Sequence, residues 1–260
     1  MRVTWFDANS WLWEWGGQRI LVDPWLVGPL VFGNAPWFFK GVRQRAADSI
    51  PTDIDLILLS QGLPDHAHPP TLEQLDRGIP VVGSPSAAKV VKSLGYSQVT
   101  ALTPGQSFQL ADCIEIRALP GAPLGPQREN AYWLREQAGG TTLYYEPHGF
   151  YPTEVDYLAP VDIAINPVVT LSLPLLGPII QGHETALALA KILRPQVWLQ
   201  TAAGGSVAYE GLLNSLLQST GSLAEFREQL TKAELLTQVL EPPPGQAFEV
   251  NLGQTATPTA

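Results

Sequence analysis

Short β-rich runs separated by turn residues recur in both halves of this chain, and each half closes on helical patterns. That recurrence constrains the fold more than any single motif. Val3 to Phe6, Trp11 to Trp15 and Arg19 to Val22 are broken by Asp7-Ala8-Asn9-Ser10 and by Gly16-Gly17; a glycine pair between two such runs predicts a tight hairpin. Leu56 to Leu59 is a continuous apolar run of the kind buried on both faces. A helix is expected to begin over Thr71 to Leu75. Val81-Val82 leads through Gly83-Ser84-Pro85-Ser86, read as a strand-to-helix turn with a capping serine, into a helix over Ser86 to Leu94 that Gly95 ends. Further strands are expected at Val99 to Leu102, Ser107 to Leu110, Ile114 to Leu119, Tyr132 to Arg135, Thr142 to Tyr145, Ile163 to Asn166 and Val197 to Gln200. Helices follow at Glu184 to Ile192 and Leu223 to Lys232. Two strand clusters, each ending in helices, point to two sheets with helices outside. The chain reads as one domain over 1–260, with a loop-rich tail from about Glu241 and a frayed end.

Composition narrows the function classes. With 45% hydrophobic and 15% charged residues, 260 residues can bury a large core without staples. A net charge of −9, and no Lys/Arg cluster beyond Arg43 and Arg45, weigh against nucleic acid as a partner. Cys113 is the single cysteine, so no internal disulfide can form; a small core residue is its expected role. No run approaches the roughly 20 apolar residues of a membrane span, and no basic-then-apolar leader opens the chain, so the cytoplasm is the expected location.

Three stretches carry a family likeness. Ile20-Leu21-Val22-Asp23-Pro24-Trp25 is a strand ending in Asp-Pro-Trp. Ile54 to His66 is a strand running into Ser60-Gln61-Gly62-Leu63-Pro64-Asp65-His66. Thr142-Leu143-Tyr144-Tyr145-Glu146-Pro147-His148-Gly149 is a strand and a turn. In that order and spacing they resemble the metallo-β-lactamase superfamily, in its branch of lactonases and N-acyl-phosphatidylethanolamine phospholipase D-like enzymes. The resemblance implies an α/β fold, a four-layer αββα sandwich. It also implies a metal cleft in which bound ions lower the pKa of a water for attack on a carbonyl or phosphoryl centre.

The same resemblance shows how far this chain departs from the pattern. Gln61 stands where the first histidine belongs; its amide oxygen suits a harder ion better than zinc. Leu63 replaces the second histidine. Gly121-Ala122-Pro123 offers no donor where the third is expected, Pro147 takes the bridging aspartate's place, and Thr201 to Gly204 lack the last histidine. Asp65 and His66 remain, and Asp23 matches the aspartate that braces the metal loop. All four histidines, His66, His68, His148 and His183, map to loops that the family gathers at one edge. A rebuilt mononuclear site of Asp65, His66, His148 and His183, with Asp65 and Glu146 as catalytic groups, is one reading; its cofactor would be one divalent ion, zinc or manganese. The other reading has no cofactor: the histidines are leftovers, and Asp65 caps its own loop.

Two stretches rich in Pro and Gly, residues 25–39 and 171–180, are apolar and loop-like. They are candidate contact surfaces for a small apolar ligand or a protein partner. Two functions therefore stand side by side. One is a non-hydrolytic ligand-binding or assembly module on an eroded metal site, towards which Leu63, Pro147 and Ala202 weigh. The other is a metal-dependent hydrolase acting on a small ester, lactone or phosphodiester.

Overall fold

The computed structural model describes residues 1–44, 50–125 and 127–253, so Arg45 and the end of the tail lie outside the described residues. The first half runs β1 (Arg2–Trp5), β2 (Trp11–Trp15), β3 (Gln18–Val22), β4 (Leu30–Val31), β5 (Lys40–Arg43), β6 (Leu56–Leu59), α1 (Pro69–Leu72), β7 (Val81–Gly83), α2 (Pro85–Ser93) and β8 (Val99–Ala101). Next come β9 (Ser107–Leu110), β10 (Ile114–Leu124), β11 (Gln127–Glu136), β12 (Thr142–Tyr145), β13 (Ile163–Ile165), β14 (Thr170–Leu173), β15 (Gly177–Gln181) and α3 (Gly182–Leu193). The chain finishes with β16 (Val197–Leu199), β17 (Val207–Glu210), α4 (Leu212–Leu216), β18 (Gln218–Thr220), α5 (Leu223–Lys232), β19 (Gln238–Leu240) and β20 (Ala247–Glu249).

Two seven-stranded sheets dominate, in the orders β20-β1-β2-β3-β6-β7-β8 and β19-β16-β13-β12-β11-β10-β9. Each is antiparallel in one part and parallel in the other: β3, β6, β7 and β8 run parallel, as do β12, β13, β16 and β19. Alternation along the strands explains the layering. Trp11, Trp13, Ile20, Val22, Leu56 and Leu58 meet Tyr132, Leu134, Leu143, Tyr145, Ile163 and Leu199 between the sheets. Their neighbours Leu12, Leu21, Ile57 and Leu59 face the other way, onto Leu72, Ala87 and Val91 of the first helical layer. On the far side Tyr144, Ala164 and Trp198 pack under Ala186, Leu189 and Leu193 of α3 and Phe226 and Leu230 of α5. Burial on both faces accounts for the unbroken apolar run of β6. The result is the expected αββα sandwich.

The punctuation behaves as its chemistry predicts. Gly16 and Gly17 both hold positive φ, +57° and +73°, as a two-residue hairpin of the primed type demands. Ser84 caps α2 by accepting from the Ala87 N–H at 3.3 Å.

Several expectations need correction. The helix expected from Thr71 begins at Pro69 and ends at Leu72. The one expected from Glu184 begins at Gly182, which puts His183 in its first turn. Within the loop-rich tail, Ala247–Glu249 adds a strand antiparallel to β1, which was not expected. Residues 171–180 form most of a hairpin, β14 with β15, rather than a loop; β18 joins its open edge. Residues 25–39 stay mostly irregular, but β4 pairs with β5, and β5 with β17, in a further small sheet. Cys113 is only half-buried, just before β10. No helix among the described residues is long and apolar enough to cross a membrane.

Candidate metal centre

The ends of β1, β3, β6, β12 and β16 bring the Asp7–Ser10 turn, Asp23, the Ser60–His68 loop, the Glu146–Phe150 turn and Thr201 to one edge, opposite the Gly16-Gly17 hairpin. Contacts between these segments bear this out: Ala202 N donates to Ala8 O at 3.2 Å, and Tyr145 and His66 both reach Asp23. Strand carboxyl ends are where α/β folds gather ligand-binding groups.

Asp23 is the hub. It is fully buried, with φ at +41°, a left-handed backbone in which a non-glycine residue is uncommon. Its Oδ1 accepts the Ser60 N–H at 2.7 Å. Its Oδ2 accepts the Ser60 hydroxyl at 2.6 Å, the Tyr145 hydroxyl at 2.6 Å and His66 Nδ1 at 2.8 Å. That last bond fixes the tautomer and plane of His66 and turns Nε2 outward, the usual way a carboxylate prepares a metal-binding histidine. Nε2 lies 3.1 Å from Asp65 Oδ2 and 3.3 Å from the Asn9 amide nitrogen.

Asp65, His66 and His148 bring one donor atom each to within 4.8 Å of one another. The His66 and His148 rings stand 4.9 Å apart. The Gln61–His68 loop thus faces the Glu146–Gly149 turn, as the family likeness requires. Burial pushes His66 down, but Asp65 and Asp23 outweigh it and lift the imidazole to about 10. Burial works the opposite way on Asp65, and His66 more than compensates, holding the carboxyl below its ordinary range. His148 is driven down to about 3 by burial and by the charge on His66. Without metal, then, the cluster is an imidazolium clasped by two carboxylates beside a neutral imidazole.

The donor set fits a divalent cation. Asp65 Oδ1 is buried without a hydrogen-bond partner, and one carboxylate oxygen with two imidazole nitrogens makes an ordinary catalytic trio that leaves a position open.

The remaining predicted residues divide. Glu146 is fully buried; its Oε2 accepts the N–H groups of His148 and Phe150 at 3.0 and 2.8 Å, while Oε1 has no partner. Its carboxylate therefore shapes the turn that carries His148, and burial lifts its pKa to about 8. His183 lies outside the trio: it packs against Gly221, and its N–H donates to Thr170 Oγ1 at 3.0 Å. His68 points away, its ring nitrogens 3.0 Å from Thr71 Oγ1 and 3.3 Å from Pro29 O.

The positions that carry no donor are held by local packing. Gly121 sits where β10 and β11 slip register between Pro120 and Pro123, and a Cβ there would lie 2.7 Å from Ala131 N. Pro147 is buried and Leu63 half-buried. Thr201 accepts from Trp11 Nε1 at 3.1 Å and donates to Ala8 O at 3.2 Å, a structural role.

The sequence reading did not single out Asn9, Ser60, Tyr145 or Tyr209. Tyr209 reaches the cleft from β17, its ring 5.6 Å from Phe39; burial, then the charges of Asp65 and Asp7, raise its hydroxyl pKa. Asn9 lies in the Asp7–Ser10 turn signal, and Ser60 and Tyr145 lie in two of the stretches that carry the family likeness. Exposed apolar residues include Trp37, 71% exposed, Leu176, 81%, and Leu175, fully so, while Phe38 is half-buried.

The chain as a whole has relatives among known proteins. The model of the β-lactamase superfamily domain matches residues 2–220. A UPF0173 metal-dependent hydrolase of Pyrobaculum arsenaticum is 25% identical over 205 residues, covering 75% of this chain and 81% of that protein. The counterpart from Pyrobaculum neutrophilum is 26% identical over the same share of each. Among solved structures, the isothiocyanate hydrolase from Delia radicum gut bacteria superposes with a TM-score of 0.71 at 16% identity, over 96% of this chain and 99% of that one. Igni18, a metallo hydrolase from Ignicoccus hospitalis, gives 0.65 at 18% over the same shares. The metallo-β-lactamase fold protein YhfI from Bacillus subtilis gives 0.60 at 16%, over 95% and 99%.

Proposed function

We propose that this chain, which belongs to the β-lactamase superfamily, is a metal-assisted hydrolase with a mononuclear site, acting on a small ester, lactone or phosphodiester with an apolar part. The observation that carries the reading is the grouping of one donor atom each from Asp65, His66 and His148 within 4.8 Å of one another, with an oxygen of Asp65 left unpartnered. The relatives named as metal-dependent hydrolases favour it over a non-hydrolytic module.

In this proposal Asp65, His66 and His148 hold one divalent ion, zinc or manganese. The ion supplies a Lewis acid and an acidified water. The chain's own residues do the rest. Asp23 keeps His66 Nε2 aimed at the cleft, Glu146 sets the turn that presents His148 and is assigned the orientation of water through its free Oε1, and Asp65 is the catalytic carboxylate. Trp37, Leu175 and Leu176, all exposed, are assigned to the apolar part of the substrate.

Elemental analysis of protein purified without chelator tests the reading, repeated for His66→Ala with His148→Ala. Close to one equivalent of metal in the wild type, lost in the double variant, is the expected result. Under about a tenth of an equivalent after metal loading would overturn it, because the catalytic trio needs its ion in place.

A further inference from the structure

Gln61 holds the position where the family resemblance expects the first histidine. Its Nε2 lies 3.0 Å from His148 Nε2, and the residue is 3% exposed. The backbone beside it is clamped. Gly62 N–H donates to Ser86 Oγ at 2.8 Å, and the Ser86 hydroxyl donates in turn to the buried Glu129 carboxylate at 2.7 Å. A Cβ at Gly62 would lie 2.8 Å from the Ser86 carbonyl, so the loop passes there only with a glycine. These contacts hold Gln61 in a fixed register against one of the three metal donors. A carboxamide so placed carries a further donor, Oε1, which changes places with Nε2 by rotation about the terminal torsion, a broad two-fold well.

We propose that Gln61 is the fourth protein ligand of the Asp65–His66–His148 site, through Oε1, and that it biases the site towards an oxygen-preferring divalent ion such as Mn²⁺. The inference rests on the metal centre proposed above and goes beyond it in assigning the ligand and the ion. Carboxylate and carbonyl oxygens suit manganese and magnesium, whereas imidazole suits zinc. An amide in place of an imidazole converts a nitrogen-rich set into two oxygens and two nitrogens. In the metal-free protein the amide Nε2 stands 3.0 Å from His148 Nε2, a separation at which the NH₂ can donate to the ring. On loading, the same amide turns over and presents its oxygen. One side chain thus serves both states without moving its backbone.

The test is calorimetric titration of metal-free, full-length protein with Mn²⁺ and, separately, with Zn²⁺. The wild type is compared with Gln61→Leu, Gln61→Glu and Gln61→His, each checked for folding by its thermal melt. Gln61→Leu is expected to weaken Mn²⁺ binding about tenfold or more, the scale on which metal-site groups matter. Gln61→Glu, which keeps an oxygen at the same reach, holds or strengthens it. Gln61→His raises the ratio of zinc to manganese affinity about tenfold. Mn²⁺ affinity in Gln61→Leu equal to the wild type, or tighter, overturns the assignment; the tighter case would make Gln61 a competitor of the ion. If the leucine variant does not fold, the other two decide: an unchanged zinc-to-manganese ratio in both overturns it. A wild type that binds neither metal overturns the metal centre and this inference together, whereas metal bound with indifference to residue 61 overturns only this inference.

Discussion

The two sides of the cleft are built on different principles. On the side formed by β1, β3 and β6, Asp23, Ser60, His66 and Asp65 form one hydrogen-bonded network in which Asp23 alone serves four donors. On the side formed by the ends of β10 and β16, the strands close with Gly121 pressed against β11 and with Thr201 tied to Trp11 and Ala8. The first side keeps donors because they also satisfy buried polar groups; the second satisfies its backbone without them. A metal site can therefore lose one side while the sandwich stands.

The largest expected effect that could break this contrast is on stability. Asp23→Ala strands Ser60, Tyr145 and a buried imidazolium, and should cost about 3–5 kcal/mol in denaturant unfolding. Thr201→Ala across the cleft should cost only about 1 kcal/mol, the worth of an ordinary hydrogen bond. Equal costs would mean the two sides are built alike.

Next is metal affinity, read by competition with a chelator. Asp23→Asn should lower it about 10–100-fold through the orientation of His66, while Thr201→Val leaves it unchanged. Parallel losses would place the ion on both sides.

A smaller effect lies in the pH dependence of the metal-free protein. Burial raises Glu146 from 4.5 to about 8, so its contribution to stability is complete below pH 4.5 and lost as pH rises through 8. Glu146→Gln keeps an oxygen for the two N–H groups and removes the titration. Its melting temperature should therefore be flatter from pH 5 to 8 than the wild type's, and the variant more stable at pH 8, by on the order of 1–2 kcal/mol. His68 has the opposite sign. Burial lowers it to about 4, and its contribution, present above 6.5, is lost as pH falls through 4. An unaltered alkaline slope in the variant would show that another group carries it.

The smallest expected signal is catalytic. Bis-p-nitrophenyl phosphate should be turned over slowly, at the rate that one ion rather than a pair supports, and that turnover should depend on added metal. Rapid turnover, abolished by His66→Ala, would require a fuller metal set than these residues make.

Much of this was legible from local pattern. The hairpin at Gly16-Gly17, the Ser84 cap, the buried run of β6 and the paired placement of His66 and His148 follow from residues near in sequence or from the order of motifs. The rest depends on partners far along the chain. Thr201 meets Ala8 across 193 positions, and Tyr145 meets Asp23 across 122, with no periodicity to announce either. Strand β20 has three residues in a Pro/Gly-rich tail and becomes a strand only because β1 has an edge to fill. The hairpin of β14 and β15 reads as a loop because Pro174, Gly177 and Pro178 mask its alternation. His183 shares a loop edge with the trio in sequence, yet α3 starts early enough to turn it onto Gly221.

The four-donor hub at Asp23 bears on how this chain can drift over generations. A lineage released from catalysis and kept only for folding would still retain Asp23, Ser60 and His66, since each loss strands a buried partner. Their persistence would say nothing about chemistry. Gln61 and His148 are different, because the one hydrogen bond they share could be exchanged for an apolar pair at little structural cost. Among descendants of one ancestor, steadfastness at those two positions, rather than at the hub and its partner Asp65, is the mark of a site still at work.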